Sequence, residues 1–540
     1  MMRSFGVVLV AGAVLLVAAT AEAQHDLVTL PLGDPAYAQL EGLARQGCRR
    51  ARVSPYRPYH VVAVRQALQT ARGDERCAGP LLDALLARFA EAEAAAGEVA
   101  PDERAITFGA AATVRATGLN KGEIRPLWRD IRDKNDGDPE AVAIARARLT
   151  WNGGRRIVAV TEAYAQTNTR NDPRTRARPF RSTEGVLDFD DAYLNGSIGS
   201  LKLSLGRVRE AWLGEGEESL ILTAHGPAID RVTASATWAQ GKFEIRALFG
   251  SINDVVLRPE DNEVPVGSDP VRLHRMIAAH AITWRPTPVW EFTLGETAVL
   301  SRQGGGVDFS FVNPVMPFIV TEHDATRENN PAGNNIVVFA GTRVAAGRAV
   351  ITGELAIDDI QIDAEDRRRV PDQLAWRLKA TYPLSLVVPT SLGVEYRRVD
   401  SYTYMRQFYN EVYQQYDEPL GSELGPDADM IRGEGEVWGG SRLRLSAGLG
   451  RWRKGALRID QRPGASAVGH AGEPYPSVSA TRPEVQRAWL GDVTAEWLDA
   501  IIPLTFRAEL ARVDDVNNEV SAVTNYLRVH FAGSYRFRYP

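Results

Sequence analysis

Residues 526–539 read YLRVHFAGSYRFRY, and two stripes run through them. Leu527, Val529, Phe531, Tyr535, Phe537 and Tyr539 share one face of a period-2 pattern, and Arg528, His530, Arg536 and Arg538 share the other. Side chains of a β-strand alternate between the two faces of its sheet, so this is a strand with one apolar and one charged face. Residues 442–449 repeat the pattern, with Leu443, Leu445, Ala447 and Leu449 against Arg442, Arg444 and Ser446. Charged faces recurring on many strands suit a hydrated barrel lumen better than the core of a sandwich. The apolar faces are then left to meet lipid.

The same period holds from about residue 105 to residue 538 and divides into eighteen segments. Their connections sort by parity. Segments two and three join at Asn152–Gly154, six and seven at Gln240 and Gly241, eight and nine at Arg285–Pro288, and fourteen and fifteen at Gly439 and Gly440, all tight turns. Most of the remaining joins are long: 119–140, 169–187, 208–228, 254–273, 302–333, 401–428 and 459–484. Short turns at one end and long loops at the other are the signature of an outer-membrane barrel, with the turns in the periplasm and the loops outside the cell. Trp151, Trp238, Trp284, Trp290, Trp438 and Trp497 lie near short turns and are expected to form an aromatic girdle there. The fold class expected is an all-β transmembrane antiparallel barrel over 104–540, carrying a small N-terminal periplasmic helical domain over 24–103.

That N-terminal region changes period. Asp34 and Pro35 open a helix that Gly47 ends, a second helix covers His60 to Ala71, and Pro80 opens a third. Cys48 and Cys77, the two cysteines of the chain, flank these helices and are expected to form a disulfide, worth roughly 3 to 4 kcal/mol by chain entropy. Before them, residues 1–23 read as a secretory signal peptide, with an apolar run from Phe5 and a small-x-small site at Ala21–Ala23. A net charge of −5, spread over 63 basic and 68 acidic residues, offers no basic stripe for nucleic acid.

Residues 401–416, SYTYMRQFYNEVYQQY, hold six Tyr or Phe in a chain that is 8% aromatic. Parity places them in a long loop outside the cell. Met405, Phe408, Tyr409, Val412, Tyr413 and Tyr416 recur at helical spacing, so an amphipathic helix is expected, closing the barrel mouth with its aromatic face. Its polar face, Arg406, Gln407, Asn410 and Gln414, together with Tyr402 and Tyr404 just before it, forms the candidate polysaccharide-binding set: rings stack on sugars, while amides and guanidinium bind hydroxyls and carboxylates. The loop at 302–333 is the next candidate.

The chain resembles the Wzi-like capsule assembly proteins. The residues that carry the resemblance are LPLGDPAYAQLEGLARQG (30–47), the stretches 205–232, 294–324 and 334–344, and PLGSELGPDADMIRGEGEVW (419–438). It implies an eighteen-stranded outer-membrane barrel that holds exopolysaccharide or capsule glycan at the cell surface, with outer-membrane lipid and the polysaccharide export machinery as further partners. The alternative is a pore for polysaccharide export or solute passage. No HExxH, GxSxG or triad is legible among the eight His residues, so no enzyme, cofactor or metal site is expected; His225 with Asp230 is the best catalytic candidate.

Overall fold

The computed structural model describes residues 27–97, 105–119, 140–167, 185–214, 218–224, 226–257, 269–304, 307, 309–324, 334–360, 372–384, 386–406, 409–416, 418–455, 457–459, 485–498 and 502–539. The expected signal peptide, Gln407 and His225 lie outside them.

Three helices come first: α1 (Pro35–Arg45), α2 (Val61–Arg72) and α3 (Pro80–Gly97). Asp34 caps α1 by accepting a hydrogen bond from the Ala36 amide at 2.8 Å, beside the proline that opens the helix. Cys48 and Cys77 are joined in a disulfide.

One sheet follows. Its barrel strands are β1 (Ala105–Leu119), β2 (Glu140–Asn152), β3 (Ile157–Gln166), β4 (Val186–Ile198), β5 (Leu201–Val208), β6 (Ile229–Trp238), β7 (Phe243–Ser251), β8 (Val271–Thr287) and β9 (Trp290–Gln303). They continue as β10 (Asn334–Ala346), β11 (Ala349–Asp359), β12 (Gln373–Leu384), β13 (Thr390–Val399), β14 (Ala428–Gly439), β15 (Leu443–Lys454), β16 (Gln486–Trp497), β17 (Leu504–Asp514) and β18 (Val523–Tyr539). The sheet has one further short strand, Val255–Leu257, on the edge of β8. Every neighbouring pair is antiparallel, and β1 pairs with both β2 and β18, which closes eighteen strands into a barrel.

Joins from even to odd strands are short and those from odd to even are longer, as the sequence implies. At the short-turn end an aromatic belt runs Trp238, Phe243, Trp284, Phe292, Trp290, with successive ring centroids 5.5, 6.5, 6.0 and 5.6 Å apart. Trp151 and Trp497 are exposed at the same end. Trp438 departs from the expectation: it is 1% exposed and faces the lumen, on the same stripe of β14 as Glu434 and Glu436.

What fills the lumen explains that departure. The helical region does not hang clear of the barrel but packs into its short-turn end, where Tyr37, Leu40 and Leu43 of α1 join one apolar cluster with Val158, Val160, Tyr193, Val208 and Trp438 of the wall. Gly42 lies so close to Trp438 that a Cβ there would stand 2.7 Å from the indole ring. Arg45 pairs with Glu436 at 2.7 Å, and Asn195 donates to the Leu27 carbonyl at 2.7 Å.

Candidate functional site

Above the helices, the chain itself fills the barrel layer by layer. Residues 52–57 rise into the lumen, where Ser54 donates to Glu244 at 2.7 Å and the Tyr56 hydroxyl lies 2.8 Å from that of Thr283. From the opposite end, the connection between β5 and β6 turns inward. Its Ala211 and Trp212 pair antiparallel with Arg57 and Tyr56, so a two-residue ladder joins the N-terminal region to a long loop inside the barrel. Trp212 is fully buried, edge-on to Tyr56 at 5.0 Å and to Phe339 at 6.5 Å. Beside it the buried Glu210 carboxylate accepts from Arg231 at 2.8 Å, Arg246 at 2.7 Å and the Trp212 indole at 3.3 Å.

The wall holds the next turn of this loop with charge. Arg377 bridges Glu354 and Glu395, each at 2.8 Å, and donates to the Glu218 carbonyl at 3.3 Å; Glu354 also accepts from the Leu220 amide at 2.9 Å. A cavity of about 110 Å³ remains between the wall and the N-terminal region, lined by Tyr37, Glu41, Arg52, Arg57, Thr293 and Glu354 among others. It is small beside the roughly 300–1,000 Å³ of ordinary ligand pockets.

The described residues of 401–427 form the last layer, and here the structure corrects an expectation. The loop folds into the lumen, and it is no helix: a single 3₁₀ turn, Tyr409–Glu411, is followed by a hairpin of two-residue strands, Gln414–Gln415 and Glu418–Pro419. Tyr404 and Tyr413 stack at 5.6 Å, and their hydroxyls donate at 2.7 Å to the carbonyls of Leu220 and Ile221 in the layer below. Burial raises the pKa of both phenols, which keeps them neutral donors. Asn410 is buried, and its carbonyl accepts from Arg275 at 2.8 Å and Ser301 at 2.7 Å.

The candidate binding set therefore divides. Tyr404, Asn410 and Gln414 are buried and offer almost no surface to a glycan. Arg406 is partly exposed and held by Asp358 at 3.0 Å. Tyr402 is also partly exposed. The described members of the set do not share one polar face.

Tyr416, which sequence periodicity assigned to the apolar face, is instead 42% exposed at the tip of the hairpin. Its amide donates to Asn253 at 3.0 Å. Around it the rim carries Asp230, bonded to Arg207 at 2.7 Å, and His274, bonded to Asp254 at 3.1 Å. One exposed ring among neutral and charged hydrogen-bonding groups is the chemistry that binds sugars. Among the described residues no group of three or more His, Cys, Asp or Glu is placed to hold a metal ion.

No protein-family model matches the chain, and no curated protein matches it. Among solved structures it superposes on Wzi of Escherichia coli, an outer-membrane protein involved in group 1 capsule assembly and a carbohydrate-binding β-barrel, with a TM-score of 0.57 at 13% identity, over 94% of this chain and 99% of that one. The two chains share an outer-membrane barrel fold. OprD of Pseudomonas aeruginosa superposes more weakly, with a TM-score of 0.43 at 8% identity over 81% of this chain and 96% of that one. At these identities the likeness to Wzi establishes the architecture and nothing finer.

Proposed function

We propose that the protein holds an exopolysaccharide or capsule glycan at the long-loop mouth of an outer-membrane barrel whose short turns and helices face the periplasm. The observation that carries this reading is the series of chain layers packed inside the lumen. The N-terminal region, the β5–β6 loop and the 401–427 loop are hydrogen-bonded to one another in series, which suits a rigid surface platform and not a conduit. The carbohydrate-binding character of Wzi, whose fold this chain shares, supports the same reading. Tyr416, Tyr402 and Arg406 would make the contacts, with Asn253 and the Arg207–Asp230 pair beside them. Polysaccharide export machinery is the natural partner for such a platform, since it would deliver the glycan.

The pore reading has one observation in its favour. On the wall formed by β17 and β18, the lumen-facing Arg507 and Arg528 side chains keep 42% and 30% of their surface exposed, so the described layers do not cover this arc fully.

Cell-surface glycan retention tests the proposal. Replacing Tyr416, Tyr402 and Arg406 with Ala should lower retention while the barrel still shows heat-modifiable migration. Stacking losses of about 0.5–1.5 kcal/mol per ring are expected, by analogy with other aromatic contacts. Unchanged retention in the triple variant, with normal assembly, would remove this mouth as the binding site.

A further inference from the structure

The loop between β9 and β10 does not join the others in the lumen. Phe311 and Phe318 are buried in a cluster with Phe249, Met276, Ala278, Ala298, Leu300 and Ile336. On β8 and β9 these positions continue the stripe that carries Trp284, Ile282, Trp290, Phe292 and Leu294, all exposed on the outer face of the barrel. Their register neighbours Ile277, Ala279 and Val299 belong to the lumen cluster with Tyr404 and Tyr413. The loop, with its short helix Phe318–Asp324, is therefore folded back over the outside of the wall.

What it covers is polar. His280 and Glu296 stand on that outer stripe with Nε2 and Oε2 3.7 Å apart; the Phe318 amide donates to Glu296, and the Phe318 ring lies 4.3 Å from the imidazole. His280 and Glu296 are register partners, four residues along their strands from the Trp284–Phe292 pair of the belt, so at about 3.3 Å per residue and a strand tilt near 40° both stand roughly 10 Å above it. That is within the roughly 25 Å apolar band of such a barrel. A bare His–Glu pair there would face hydrocarbon, at a cost the covering segment removes.

The outer surface of the cover is mostly apolar, with Ser310 and Asn313 its exposed polar residues among those described. Phe309 and Val315 are each 80% exposed, and Val307, Val312, Ile319 and Val320 are exposed with them. Residues 307–321, VDFSFVNPVMPFIVT, contain one charged side chain, Asp308. This surface continues the lipid-facing belt of Ile282 and Leu294 directly below it. We propose that residues 309–320 are embedded in the membrane leaflet on the long-loop side, with Phe309, Val315 and Ile319 packed against lipid acyl chains. This loop is then a lipid-contacting element and not a second glycan site.

Depth measurement by nitroxide labelling tests this. F309C, V315C and I319C, made singly and checked by heat-modifiable migration, would be labelled, reconstituted into phosphatidylcholine vesicles and probed for collision with oxygen and with a water-soluble nickel chelate. L294C in the lipid belt and Y416C at the mouth are the references. The ratio of oxygen to nickel accessibility at 309 and 315 should match that at 294 and lie severalfold above that at 416. A ratio equal to that at 416 would place the segment in water and overturn the proposal. Labels immobile and shielded from both reagents would also overturn it, since the chain itself would then cover this surface. Using three sites keeps the test decisive if one variant does not assemble.

Discussion

Glu210 shows how a single side chain holds the interior together. Its carboxylate is the shared partner of two buried guanidiniums, Arg231 and Arg246, at 2.8 and 2.7 Å. Removing one member of such a cluster leaves unmatched charge in a low-dielectric site, which costs on the order of 3–5 kcal/mol. Glu210→Ala should therefore lower the denaturant midpoint of the refolded barrel, whereas Glu519→Ala on an exposed turn should not. His60, in the N-terminal region packed within the barrel, provides a pH-dependent counterpart. Burial first, then Lys202 and the arginines nearby, push its pKa from 6.5 down to about 3, and its Nδ1 lies 3.1 Å from the Leu27 carbonyl. A group with a depressed cationic pKa binds more protons when released than when packed. Its contribution is fully present above about pH 6.5 and is lost as pH falls toward 3. Hydrogen-exchange protection of residues 27–72 should decline over that window, and His60→Gln should flatten the decline.

At the scale of elements, the barrel strands and the three N-terminal helices were legible because each obeys a local rule: alternation for strands, and Asp-Pro, Gly and Ala-rich patterns for helices. The segment 401–416 was not, and the reason lies in its neighbours. Helical spacing of apolar residues records which side chains are buried, but it does not say what satisfies the backbone. Here the wall does so: Asp358 accepts from the Tyr404 amide at 2.7 Å, while Arg275 and Ser301 donate to the Asn410 carbonyl at 2.8 and 2.7 Å. Tyr402 and Tyr404, with φ of 65° and 71°, turn the chain just before the expected helix, and Tyr416, with φ of 50°, turns it at the last expected position. Trp438 escaped for a simpler reason: its distance from a turn was read, and its strand parity was not. Arg275→Met should loosen the 401–416 layer, seen as faster amide exchange there, with little change in the exchange of β8 itself. Replacing both Cys48 and Cys77 with Ala should destabilise the N-terminal helices by about 3 to 4 kcal/mol while the barrel still migrates as a folded species.

For the whole molecule, sequence parity fixed which strand ends carry long loops, but not that two of those loops turn inward. Inward folding depends on contacts between segments far apart in the chain. The Tyr56–Trp212 pairing joins the N-terminal region to the β5–β6 loop, and the Tyr404–Leu220 hydrogen bond joins that loop to the outermost layer. Neither has a local signature. Together they support the central proposal, that the barrel is a packed platform acting at its surface and not a conduit. Single-channel recording of the mature, refolded chain in a planar bilayer tests it most directly. The filled lumen predicts no steady conductance steps, and a large, steady, open conductance from the intact protein would contradict it.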